Sequence, residues 1–109
     1  MINLKEYNYP GMSAADAVFP TVNTDKVLLK EAKERGFDSM SNPWNNYFSD
    51  LFFTGGEIEF QEGLDKEVKT KMWRYCRALM GSFAPKHEDK TAVCAMLMSE
   101  LLVLPKDKK

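Results

Sequence analysis

The chain has 109 residues, of which 44% are hydrophobic, 12% aromatic and 28% charged, and its formal net charge at pH 7 is −1. This size and composition indicate one globular domain over 1–109 and exclude an intrinsically disordered chain. The small net charge gives no overall attraction to nucleic acid or to an anionic membrane, so either partner would need a local basic patch.

The first 23 residues are predicted to form an irregular arm. Pro10-Gly11 favours a turn, and Pro20 stops any short helix before it. We expect the arm to pack on its own domain, with contact to a second subunit as the alternative. Its expected anchors are Tyr7, Tyr9, Phe19 and Val22. Because no charged segment followed by an apolar run opens the sequence, we expect a cytoplasmic protein without a secretory signal.

A first helix is predicted over about 25–35. Thr24 suits its N-cap, and Gly36 suits its C-terminal stop. The helix is short and charged, so we expect it at the surface. Its narrow apolar stripe consists of Val27, Leu28 and Ala32.

A second, aromatic helix is predicted over about 43–53. Asn42 followed by Pro43 is a typical helix start, and the next aromatic residues recur at helical spacing. The alternative is a β-hairpin over 47–60 with its turn at Gly55-Gly56. The spacing favours the helix, followed by a short β segment at 57–60.

A third helix over about 64–83 and a fourth over about 87–104 should form an antiparallel hairpin that brings Cys76 close to Cys94. Residues 91–104 are apolar on most sides, so this helix must be surrounded by other elements. At 14 residues the run is shorter than the roughly 20 that cross a membrane. We therefore predict a mainly α fold with the fourth helix at its centre and a frayed tail at 105–109. The predicted core is Trp44, Phe48, Leu51, Phe52, Val68, Met72, Cys76, Leu79, Val93, Leu97 and Leu101.

One edge of the fourth helix remains after the third helix and the aromatic helix have covered two of its sides. This edge is wide enough to accept a partner, either a second copy in a homodimer or a larger protein. The predicted interface residues are Ala95, Ser99, Leu102 and Val103.

The third helix carries a basic face, with five basic and two acidic residues over 64–83. Basic groups beside an aromatic residue, here Trp73, suit nucleic acid or an acidic partner. The simpler interpretation is a solvated face opposite an apolar one, and the net charge of −1 favours it. The residues of this face are Lys66, Lys69, Lys71, Arg74 and Arg77.

An acidic segment with no basic residue lies between positions 50 and 62. We expect its carboxylates to pair with the basic face, within the molecule or across an interface. Its four carboxylates are Asp50, Glu57, Glu59 and Glu62.

Candidate catalytic and metal-binding residues are few. Glu57 and Glu59 could support acid–base chemistry only inside an apolar pocket, which the sequence does not indicate. Cys76, His87 and Cys94 supply at most three ligands without a paired motif, so we expect reduced core thiols rather than a metal site. We therefore predict no catalytic residue, cofactor or metal.

The predicted function is a non-enzymatic, self-associating protein–protein interaction module. It would be a small cytoplasmic adaptor, assembly factor or inhibitor, and a phage or mobile-element origin would suit it. A nucleic-acid-binding protein is the alternative, and a small enzyme using a carboxylate or His87 is the third hypothesis.

Overall fold

The computed structural model describes residues 2–9, 26–81 and 86–104. It is mainly helical, as predicted, and the described residues form no sheet beyond a single antiparallel bridge between Phe60 and Leu102. The helices are α1 (Lys26–Glu34), α2 (Pro43–Thr54), α3 (Lys66–Met80) and α4 (His87–Leu101). The predictions for Thr24, Phe19, Val22 and the tail 105–109 lie outside the described residues.

The central position of α4 is confirmed, because α1, α2 and α3 all pack against it. Every side chain from Thr91 to Met98 is buried. Seven of the predicted core residues are buried, namely Phe48, Met72, Cys76, Leu79, Val93, Leu97 and Leu101. Trp44, Leu51 and Val68 are partly buried at the edge of the core. The prediction for Phe52 is wrong, since it is 49% exposed.

The ends of α1 and α2 follow local sequence signals. Gly36 has a φ of +84°, and this left-handed conformation lets the Phe37 N–H donate to the Ala32 carbonyl at 2.9 Å. The Asn42 side chain accepts a hydrogen bond from the Trp44 N–H at 2.8 Å and so caps α2. The helix predicted over 43–53 therefore replaces the alternative hairpin.

The third helix is shorter than predicted at both ends, because it begins at Lys66 and ends at Met80, where Gly81 is the C-cap. Asp65 is extended and its carboxylate accepts hydrogen bonds from the N–H groups of Glu67 and Val68, which makes it the N-cap and Lys66 the first helical residue. The predicted hairpin with α4 is present, and the Cys94 thiol lies 3.8 Å from the Cys76 carbonyl oxygen.

The fourth helix ends at Leu101 instead of 104 because Leu102 is extended and pairs with Phe60. The Gln61 N–H donates to the Leu101 carbonyl at 2.9 Å, and the Val103 N–H donates to the Glu59 carbonyl at 2.8 Å. The predicted β segment at 57–60 is thus an extended connection with one bridge. None of the helices in the described ranges combines the length and apolar character needed to cross a bilayer.

The N-terminal segment, residues 2–9, packs on its own domain as expected. Leu4 and Tyr9 are buried, and the Tyr9 hydroxyl donates to the Leu4 carbonyl at 2.7 Å. The Lys71 ammonium donates to the carbonyls of Lys5 and Tyr7, each at 3.2 Å. This segment is therefore held against α3.

A second attachment joins the same segment to α1 through Glu31 and Arg35. The Arg35 guanidinium donates to the Glu31 carboxylate at 2.7 Å and to the Ile2 carbonyl at 2.9 Å. The Ile2 N–H donates to the same Glu31 oxygen at 3.3 Å. Glu31 is only 7% exposed, whereas Val27 is 53% exposed, so the predicted apolar stripe is wrong at Val27.

Acid should weaken this attachment. The hydrogen bond from Arg35 lowers the pKa of Glu31 in the folded state. The ionised Glu31 carboxylate therefore stabilises the fold above its unfolded-state pKa of about 4.3. This contribution is lost as the pH falls through the lower pKa of the folded state. We expect Glu31→Gln to reduce the free energy of unfolding at neutral pH and to differ less from wild type in acid. Urea denaturation of both proteins at neutral pH and near pH 3 measures this.

The matched control is Glu34→Gln, at an exposed carboxylate of the same helix. It should change the stability little at either pH. A difference between wild type and Glu31→Gln that stays constant with pH would contradict the expectation.

Candidate functional site

An open apolar groove of about 370 Å³ lies between α2 and α3. In the described part of the chain these two helices pack on α4 and not on each other, which leaves a gap above α4. The residues that line it include Phe48, Phe52, Ile58, Trp73, Met80 and Met98.

Gly55 ends α2 beside this groove. Its φ of +71° is left-handed, and its N–H donates to the Leu51 carbonyl at 2.8 Å. The chain therefore turns out of the helix and carries Ile58 along the groove as a lining residue.

An aromatic rim, defined as Phe52, Phe53 and His87, borders the groove at the end of α2. Phe52 is 49% exposed and Phe53 is 71% exposed. Their ring centroids are 5.2 Å apart, and each lies 6.1 Å from the His87 ring. Neighbouring residues on a helix point about 100° apart, so α2 cannot bury both phenylalanines against α4. This adjacent pair is the sequence signal for the rim, and the helical spacing alone misses it.

The predicted basic face is divided in the structure. The Lys71 ammonium is bound to the N-terminal segment, and that of Lys69 lies 4.8 Å from the centre of the Phe60 ring. Trp73 also contacts Phe60, with a centroid distance of 5.5 Å. The exposed remainder of the face is Lys66, Arg74 and Arg77, of which Arg77 lines the groove.

The acidic segment is exposed at all four of its carboxylates. The ion pairs within the described ranges join Arg35 to Glu31 and to Glu100. Neither involves the acidic segment or the basic face. The expected ion pairing between these two surfaces is therefore absent from the described residues.

The edge of α4 predicted as a partner interface is largely covered by the chain itself. Ala95 and Leu102 are fully buried and Ser99 is partly buried, whereas Val103 is 39% exposed. In addition to α2 and α3, α1 packs on α4, and the connection around Phe60 pairs with Leu102. Ala95 and Leu102 are therefore unavailable to a partner in this structure.

The candidates for catalysis or metal binding are not assembled into a site. Glu57, Glu59 and His87 are all exposed. Cys76 and Cys94 are free and buried, and burial raises the pKa of the Cys94 thiol, which disfavours its reactive thiolate form. Within the described ranges no group of three or more His, Cys, Asp or Glu side chains could hold a metal ion.

Comparison of the chain with family models, with curated proteins and with solved structures gives no match. The groove, its aromatic rim and the charged side chains on either side of it are therefore the features that indicate a function.

Proposed function

We propose that this chain is a non-enzymatic protein–protein interaction module that buries the groove and its aromatic rim against a protein surface. The observation that carries this proposal is the exposure of Phe52, Phe53 and Ile58 beside an apolar gap. Large exposed apolar patches mark interaction sites, and aromatic residues, Met and Arg are enriched in protein interfaces. The module would act as a small adaptor, assembly factor or inhibitor, and self-association is the form of binding that we favour.

The shape of the groove favours a protein partner over a small molecule. Small-molecule sites enclose most of the ligand surface. Here Phe52 and Ile58 are 49% and 40% exposed, and Phe53 extends the apolar surface beyond the groove. A helix or another broad surface could cover both the groove and the rim.

The free thiols of Cys76 and Cys94 support a cytoplasmic location for the module. These neighbouring cysteines suit a compartment that keeps thiols reduced.

Nucleic-acid binding is the second candidate, supported by the exposure of Lys66, Arg74 and Arg77. It is the weaker one, because Lys71 is held by backbone carbonyls of its own chain and Trp73 packs on Phe60. These contacts leave fewer cations and less aromatic surface for phosphates and bases.

A photo-crosslinking residue at position 53 tests the proposed function. We expect p-benzoylphenylalanine in place of Phe53 to form a crosslinked protein species in living cells, because the exposed ring would lie inside the interface. Denaturing electrophoresis followed by mass spectrometry identifies the species, whether it is a second copy or a different protein.

Met40 supplies the matched control, because it is 84% exposed and does not line the groove. The same photo-crosslinking residue there should yield little product, and adding Ile58→Asp to the position 53 variant should remove its product. Equal crosslinking at both positions, or none at position 53, would contradict the proposed function.

A further inference from the structure

We propose that the groove binds a second copy of this chain, related to the first by a two-fold axis that runs along the groove. In this arrangement the carboxylates that follow α2 in each copy lie against the guanidinium groups of α3 in the other. The inference rests on the proposed function, since it names the occupant of the same groove.

The two sides of the groove carry opposite charges. On one side Glu57 and Glu59 flank the lining residue Ile58, and both are exposed. Neither carboxylate residue lines the groove itself, and the Tyr47 hydroxyl of α2 donates to the Glu57 carbonyl at 3.0 Å, which keeps this segment on the α2 side. On the other side Arg77 lines the groove, and Arg74 is exposed one turn earlier on α3.

Within the described part of the chain, none of these four charged groups has an oppositely charged partner within 4.0 Å. Two acidic and two basic side chains thus lie on opposite sides of one apolar surface without an ion pair among the described residues. A surface with that pattern is complementary to itself.

The charges also select the direction of the symmetry axis. A two-fold axis along the groove places the acidic side of each copy opposite the basic side of the other, and the contact occurs twice. A two-fold axis across the groove would set acid against acid and base against base, and such like-charge contacts disfavour a complex.

The same rotation brings the apolar surfaces together. Phe52 and Ile58, on the acidic side, meet the α3 side of the second copy, where Trp73 and Met80 line the groove. The aromatic and aliphatic contacts would supply affinity, and the charges would set the orientation.

Charge reversal followed by mixing tests this arrangement on the full chain. Wild type should elute from a size-exclusion column with light scattering at twice the chain mass. Arg74→Glu/Arg77→Glu makes both sides acidic, and Glu57→Lys/Glu59→Lys makes both sides basic. Each double variant alone should dissociate, with a dimer dissociation constant raised by at least about tenfold.

An equimolar mixture of the two double variants should regain the dimer mass, because both contacts then join opposite charges. A chain that carries all four substitutions should dimerise by itself for the same reason. The matched control, Lys26→Glu/Lys30→Glu, changes exposed cations of α1 away from the groove and should keep the dimer mass. Circular dichroism verifies that each variant is folded. If a double variant fails this check, the single variants Arg77→Gln and Glu57→Gln replace it, and each alone should weaken the dimer.

The outcomes separate this inference from the proposed function. Variants that remain dimeric, or a mixture that remains monomeric, overturn the arrangement. If wild type is monomeric and position 53 crosslinks to a different protein, the groove does not bind a second copy, but the proposed function as an interaction module is retained. A monomeric wild type that binds DNA or RNA through Arg74 and Arg77 overturns it in favour of the nucleic-acid candidate.

Discussion

Replacing Leu97 with Ala is expected to lower the free energy of unfolding by about 2–5 kcal/mol. Leu97 is fully buried in α4, the helix against which the other three pack. Its truncation removes apolar contacts and leaves a cavity that surrounding helices can fill only in part. Urea denaturation followed by far-ultraviolet circular dichroism measures the change.

Val103→Ala is the matched control for this prediction. Val103 follows α4 and is 39% exposed, so its truncation should cost less than about 1 kcal/mol. Similar losses for the two variants, or a near-neutral effect at Leu97, would contradict the central position of α4.

The second large effect is expected at Tyr9, whose replacement by Ala should cost about 3–5 kcal/mol. The Tyr9 side chain is 4% exposed, and its ring centroid lies 5.0 Å from those of Tyr7 and Tyr75. The Lys71 ammonium lies 5.6 Å from the ring centre. The substitution therefore removes the main apolar anchor of the N-terminal segment, and the same denaturation assay measures its cost.

Tyr9→Phe separates the hydroxyl from the ring. Burial raises the pKa of this hydroxyl, which stays protonated and donates to the Leu4 carbonyl. Losing that hydrogen bond should cost about 1 kcal/mol. Asn8→Ala, at an exposed neighbour, should be close to neutral. If Tyr9→Ala were as mild as Asn8→Ala, the packing of this segment on α3 would be wrong.

The helices could be predicted because local signals and periodicity agree along most of the chain. Asn42 before Pro43 starts α2, and Gly36 ends α1. The burial of Glu31 could not be predicted, because a carboxylate becomes tolerable inside only when Arg35 and the Ile2 N–H reach it. Those partners come together through tertiary packing, which a helical pattern does not contain.

The candidate groove was harder to predict than the helices. Helical spacing predicts that Phe52 belongs to the core, but its exposure depends on the gap between α2 and α3. Likewise, a helical wheel shows Lys71 as a member of the basic face and cannot show that the N-terminal segment binds it. The basic face and the acidic segment were visible in the sequence, whereas their positions on either side of one groove required the fold.

The contacts of the N-terminal segment also indicate the order in which parts of the chain fold during synthesis. The Lys71 hydrogen bonds join residues 64 and 66 positions apart, whereas Cys94 and Cys76 are separated by 18. Contacts between distant residues form late, so we expect the α3–α4 hairpin to precede the docking of the segment. The segment is therefore synthesised before α3 but can pack only after it, since Tyr9 cannot be buried until Lys71 and Tyr75 have been made.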